Sequence, residues 1–146
     1  MLKIGDIWTD VCWYKREEDG RCMQKHFAIL ALGGDDVTIR LLTSKSAGRS
    51  KAPRCYHGPP YASFYLGVIE PGSVDLGKES WLDLRYANDI DDRDFVKLFS
   101  SGDVFRLGAI PDPLLCDALL CVATAPATRP LQSKRIYSSR HALGCR

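Results

Sequence analysis

Alternating apolar and polar positions dominate the first half of the chain, and recurrence every three or four residues begins only after about residue 90. Ile4 to Trp13 mixes β-branched and aromatic residues with polar ones, and Lys15-Arg16-Glu17-Glu18-Asp19-Gly20 supplies a polar turn. Phe27 to Leu32 is a continuous apolar run stopped by Gly33-Gly34-Asp35-Asp36, the pattern of a central strand. Val37 to Leu42 alternates and pairs with it across that turn as a hairpin. A loop rich in Ser, Gly, Pro and basic residues is predicted from Thr43 to Ala62. Ser63–Ile69 and Ser80–Tyr86 read as further strands, the second with Trp81, Asp83 and Arg85 on one face and Leu82, Leu84 and Tyr86 on the other.

Two helices follow. Asp91-Asp92-Arg93-Asp94 places carboxylates in the first turn ahead of Phe95, Val96, Leu98 and Phe99, with Gly102 as the stop. Asp112 as N-cap with Pro113 behind it opens the second, which runs through Val122. Beyond Ala125-Pro126 the periodicity vanishes. Strands first and helices last give a mainly β, α+β chain, a small curved and partly open barrel over residues 1–125, with a basic C-terminal tail over 126–146.

Composition constrains the setting. The 146 residues are 45% hydrophobic and 26% charged, an ordinary globular balance for one domain. No apolar run approaches a membrane span, and the N-terminus lacks a signal-peptide core, so a cytoplasmic protein with no membrane contact is expected. Cys12, Cys22, Cys55, Cys116, Cys121 and Cys145 contain no C-x-x-C pair and read as buried or idle thiols. Cys55-Tyr-His57 comes nearest to a ligand pair, and neither metal nor cofactor is expected.

The net charge of +2 conceals segregation. Arg40, Lys45, Arg49, Lys51 and Arg54 occupy one stretch without an acid, and Arg129, Lys134, Arg135, Arg140 and Arg146 another; the other residues carry 10 basic and 18 acidic side chains. Such segments point to a polyanion or an acidic partner, and read equally well as a solvated loop and a solvated tail.

No phosphate-binding glycine loop, nucleophile elbow or H-E-x-x-H helix is present. The carboxylates around Asp91 are accounted for by helix capping. What remains is a convergence: Lys25-His26 enters one strand of the hairpin, and Thr43-Ser44-Lys45 leaves the other. Antiparallel pairing brings these ends together, so an imidazole, an ammonium and two hydroxyls gather at the root of the basic loop. Such a group binds a phosphodiester and can assist attack by a ribose 2′-hydroxyl without a metal.

Gly5-Asp6-Ile7-Trp8, Lys25-His26-Phe27-Ala28-Ile29-Leu30 and Val37 through Ser44 together resemble the MazF/PemK family of toxin endoribonucleases. The likeness covers residues 3 to 45, and more loosely Ser80-Trp81-Leu82 and the closing helices. It implies an SH3-like barrel, commonly homodimeric, that cleaves single-stranded RNA to a 2′,3′-cyclic phosphate and is held by an acidic antitoxin. Thr43 matches the strand-end threonine that holds the scissile phosphate. The family's catalytic Arg-Pro falls at Phe27-Ala28 or His26-Phe27, so the chain departs from the pattern there. Either His26 or Lys25 replaces that cation, with Ser44 beside them, or the chain no longer cuts RNA.

In the first case Lys45, Arg49, Lys51, Arg54 and His57 are the nucleic-acid-binding set. In the second the chain is a non-catalytic binding module or inhibitor that engages nucleic acid or an acidic protein through its basic loop and tail.

Overall fold

A computed structural model describes residues 2–69 and 78–146 of the chain. The strands are β1 (Asp6–Lys15), β2 (Cys22–Gly33), β3 (Asp36–Thr43), β4 (Cys55–Tyr56), β5 (Ser63–Val68), β6 (Glu79–Asp83), β7 (Ile90–Asp91) and β8 (Val104–Ala109). The helices are α1 (Asp92–Ser100), α2 (Asp112–Ala123) and α3 (Pro130–Ala142). Every strand pairing is antiparallel, in the order β4-β5-β6-β3-β2-β1-β8, with β7 beside β3. The path does not return on itself, so the described sheet is open, and the architecture is α+β.

The expected hairpin is β2–β3, closed where Gly33 pairs with Asp36 and Gly34 takes a left-handed conformation (φ 60°). The apolar run in β2 is buried on both faces. Ala28 and Leu30 face a core shared with Leu115, Leu119 and Val122 of α2 and Ile136 of α3. Phe27 and Ile29 face a second core with Trp8, Val37, Ile39 and Phe95 of α1. Helices on both sides explain why this strand reads as a continuous hydrophobic run rather than an alternation. Trp81 and Asp83 are likewise buried together with Leu82 and Leu84, so β6 has no solvent face of the kind its alternation implied.

Helix α1 has the predicted acidic opening, with Asp91 accepting hydrogen bonds from the amides of Arg93 and Asp94. Helix α2 differs by one position: Pro111 is the N-cap and Asp112 the first helical residue, with no side-chain cap bond.

The expected tail is structured. Residues 130–142 form α3, which packs on α2, β2 and β3, and its buried positions are Gln132, Ile136 and Ser139. That face shares helical spacing but is two-thirds polar: Gln132 serves a buried cation, and Ser139 donates to Arg135 O within the helix. Arg40 is fully buried. Its guanidinium donates to Gln132 Oε1 at 2.7 Å, Ile39 O at 2.7 Å and Thr128 Oγ1 at 3.2 Å. Burial pulls its pKa down from the ordinary value, opposed by the charges of Asp89, Tyr86 and Asp83. Gln132 also donates to Ala87 O and Asp89 Oδ1, and Arg135 pairs with Asp89 at 2.8 Å. Arg129 stacks on Tyr86 with 3.9 Å from guanidinium to ring centroid. Much of the charge of the basic C-terminus therefore points into the domain.

The cysteines require a correction as well. All six are paired, Cys12 with Cys22, Cys55 with Cys121 and Cys116 with Cys145. The bonds tie the outer ends of β1 and β2, β4 to α2, and α2 to the segment after α3. Spacing alone does not give connectivity, and six cysteines admit fifteen pairings. Disulfides of this density belong to oxidising surroundings, so the expectation of a reducing cytoplasm loses the support it drew from idle thiols. No described helix is long and apolar enough to cross a membrane.

Asp83 gives the fold an acid-sensitive point. Burial pushes its pKa up, but hydrogen bonds from the Arg85 guanidinium and amide, with the Arg85 and Arg49 charges, outweigh burial and leave it lowered. A depressed carboxylate stabilises the fold above its unfolded pKa of about 3.9 and loses that contribution as pH falls through the folded value. Urea midpoints taken between pH 6 and 2 are expected to fall less steeply for Asp83→Asn than for the wild type. Parallel profiles would remove Asp83 from this role.

Candidate functional site

Strand β3 changes partners near its end, and that change opens a cleft. It pairs with β2 as far as Phe27↔Leu41, then with β6 from Leu42↔Leu82 to Thr43↔Trp81. Where β2 and β3 separate, a depression of about 350 Å3 lies between them. Gln24, Lys25 and His26 form one lip; Leu42, Thr43, Ser44 and Lys45 form the other, and Lys78 and Ser80 complete the wall. The four residues assigned to chemistry from the sequence, Lys25, His26, Thr43 and Ser44, all line this cleft, and so does Lys45. Among the described residues, its lining carries three ammonium groups, one imidazole and three hydroxyls, and no carboxylate.

Hydrogen bonds position two of these groups. Thr9, opposite His26 in the β1–β2 ladder, donates its hydroxyl proton to Lys25 O at 3.3 Å and accepts from Gln24 Nε2 at 3.0 Å. Its 2.9 Å contact with His26 Nδ1 holds the imidazole against β1. Thr43 Oγ1 accepts from the Lys45 amide at 3.2 Å, which leaves its hydroxyl proton to donate to an anion.

The other expected nucleic-acid-binding residues are placed differently. Arg49 donates to Lys45 O at 2.9 Å and stacks on Tyr61. Lys51 pairs with Glu79 at 2.8 Å, and that hydrogen bond raises its pKa. Arg54 donates to Tyr65 O at 2.8 Å and lies over the Tyr65 ring. These cations shape the loop from within, assisted by Trp81 Nε1 donating to Ser50 O at 2.9 Å. His57 lies outside the cleft, against Cys55, Cys121 and the Cys121 carbonyl.

Thr9, Gln24, Lys78 and Ser80 were missed from the sequence. The β1 pattern carried a signal for Thr9, since it faces the strand start that holds His26. Nothing local marks Lys78 or Ser80, which reach the cleft only through the β3–β6 pairing.

A larger apolar cavity, about 820 Å3, lies between Leu2, Trp8 and α1. Asp91, Asp92 and Asp94 border it, a poor setting for a phosphate. The basic cleft is therefore the candidate site for an anionic substrate. Compared with known proteins, the chain matches no family model, no curated protein and no solved structure.

Proposed function

We propose that the chain is a metal-independent endoribonuclease of MazF/PemK type, its open sheet a divergent, partly open SH3-like barrel. The observation that carries this reading is the cleft, lined among the described residues by three lysines, a positioned imidazole and a strand-end threonine hydroxyl, with no carboxylate. Lys25, Lys45 and Lys78 attract the phosphodiester, and Thr43 donates to a nonbridging oxygen. The His26 imidazole takes the proton of the 2′-hydroxyl, and the 2′ oxygen attacks phosphorus. The bond to the 5′ oxygen breaks, and that oxygen takes a proton from water. The products are a 2′,3′-cyclic phosphate and a 5′-hydroxyl. The lysine ammonium groups supply the positive charge that the dianionic phosphorane requires, in place of the missing arginine.

The test uses one oligonucleotide sequence made as RNA, as 2′-O-methyl RNA and as DNA, each incubated with the protein and excess EDTA. Cutting of RNA alone is the expected result, because only RNA carries the nucleophile. Cutting of all three, or of none, overturns the proposal.

Binding should track the lysines. With three cations on a single strand, log affinity is expected to fall with log salt at a slope of about −2. Lys25→Ala should reduce that slope by about 0.7. Arg54→Ala should leave the slope unchanged, because Arg54 is engaged with Tyr65. A slope near zero would count against backbone recognition.

The non-catalytic alternative draws on the same cleft and less on the loop. Its cations Arg49, Lys51 and Arg54 are engaged within the domain, so a binder of this shape also works through Lys25, Lys45 and Lys78.

A further inference from the structure

His57 stands beside a disulfide in an arrangement that the proposed RNA chemistry does not use. Its Nε2 lies 3.4 Å from Cys55 Sγ and 3.5 Å from Cys121 Sγ. Among the described residues, Cys55, His57 and Cys121 are a group whose ligand atoms all lie within 4.8 Å of one another. A tetrahedral zinc ion, with Zn–S of about 2.3 Å and Zn–N of about 2.05 Å, needs N···S edges of about 3.6 Å and an S···S edge of about 3.8 Å. Both N···S edges are already close to those values. The bonded sulfurs have to part, and His57 Nε2 has to exchange its 2.9 Å contact with Cys121 O for the metal.

The donor set also matches the metal. Two thiolates and a neutral imidazole favour zinc over the oxygen-seeking cations, and the resulting centre is electrically neutral. The three ligands come from separate places, β4, the residues just after it, and the buried face of α2. Cys55 and His57 are only half-buried, which leaves a route for an ion.

We propose that Cys55, His57 and Cys121 form a redox-gated zinc site, closed to metal while the disulfide stands and opened by its reduction. A dithiol reductant supplies the electrons: its two thiols become a disulfide as Cys55–Cys121 becomes two thiols. Zinc then displaces the two thiol protons to solvent, takes the Nε2 lone pair of His57 as that ring's proton moves to Nδ1, and keeps water at its fourth corner. In this exchange a covalent tie between β4 and α2 becomes a coordinate one. The basic loop, which runs from the cleft to Cys55, thus stays anchored in either redox state.

The test compares full-length protein with its disulfides intact against the same protein reduced by a phosphine, which takes oxygen from water and does not compete for the metal. Each sample is given zinc, desalted and assayed for bound metal, with cobalt(II) as a spectroscopic probe. About one zinc per reduced chain is expected and essentially none per oxidised chain, with cobalt showing thiolate charge-transfer and tetrahedral bands. His57→Gln, whose disulfide keeps its oxidised fold intact by circular dichroism, should weaken retention at least about tenfold. Cys12→Ser with Cys22→Ser should retain full binding. Zinc held equally by the oxidised protein, absent from the reduced protein, or unaffected by His57→Gln would overturn the proposal.

Discussion

Gln132→Leu is expected to destabilise the fold by about 3 kcal/mol, although the exchange adds apolar surface to a helix with little of it. Gln132 Oε1 is a 2.7 Å acceptor for a guanidinium that has no solvent exposure and whose Nε has no partner among the described residues. Removing that acceptor leaves a buried charge less compensated, and it also removes the donor to Ala87 O and Asp89 Oδ1. Arg40 cannot escape by losing its proton, since a guanidinium stays charged in any folded protein near neutral pH.

The double variant Arg40→Met with Gln132→Leu provides the sharper comparison. Replacing both partners with apolar groups removes the orphaned charge, so the pair should unfold later in urea than Gln132→Leu alone. If the single change costs under about 1 kcal/mol, or if the two changes simply add, Arg40 does not hold α3 to the sheet in this way.

The second large effect concerns turnover. His26→Ala is expected to lower RNA cleavage by at least about 100-fold, the lower range for loss of a positioned general base. Affinity for RNA should change little, because the three lysines remain. Thr9→Val tests the same assignment from behind. It removes the hydroxyl that holds His26 Nδ1 while keeping the shape of a fully buried side chain. Turnover should fall, and the pH at which half the activity is reached should shift, with the fold retained by circular dichroism. A drop in affinity with unchanged turnover for either variant would make these residues part of the binding surface alone.

Much of this architecture was legible because β2 and β3 write their own pairing. Six apolar residues, a Gly-Gly-Asp-Asp turn and a β-branched return strand leave few alternatives, and the meeting of Lys25-His26 with Thr43-Ser44 follows from antiparallel geometry. Helix α1 was legible for a similar reason, since its acidic first turn and its Phe95 stripe are local. Helix α3 was hidden because its inner face is Gln132, Ile136 and Ser139, spaced for a helix but with Ile136 as its one apolar member and Gln132 given to Arg40. Arg40 itself read as the first member of a basic stretch, whereas burial places it with Thr128 and Gln132, 88 and 92 residues away in sequence. The cysteines were illegible for a third reason: their pairing depends on which elements meet, and spacing carries none of that.

The catalytic claim is tested most directly by the chemistry of the cut ends. Purified protein with its disulfides intact is mixed with a long single-stranded RNA in excess EDTA, and the new termini are identified by mass spectrometry, with Thr43→Ala alongside. Termini with 2′,3′-cyclic phosphate and 5′-hydroxyl from the wild type, and little or no product from Thr43→Ala, are the predicted result. Intact RNA, or ends bearing 3′-hydroxyl and 5′-phosphate, would contradict it.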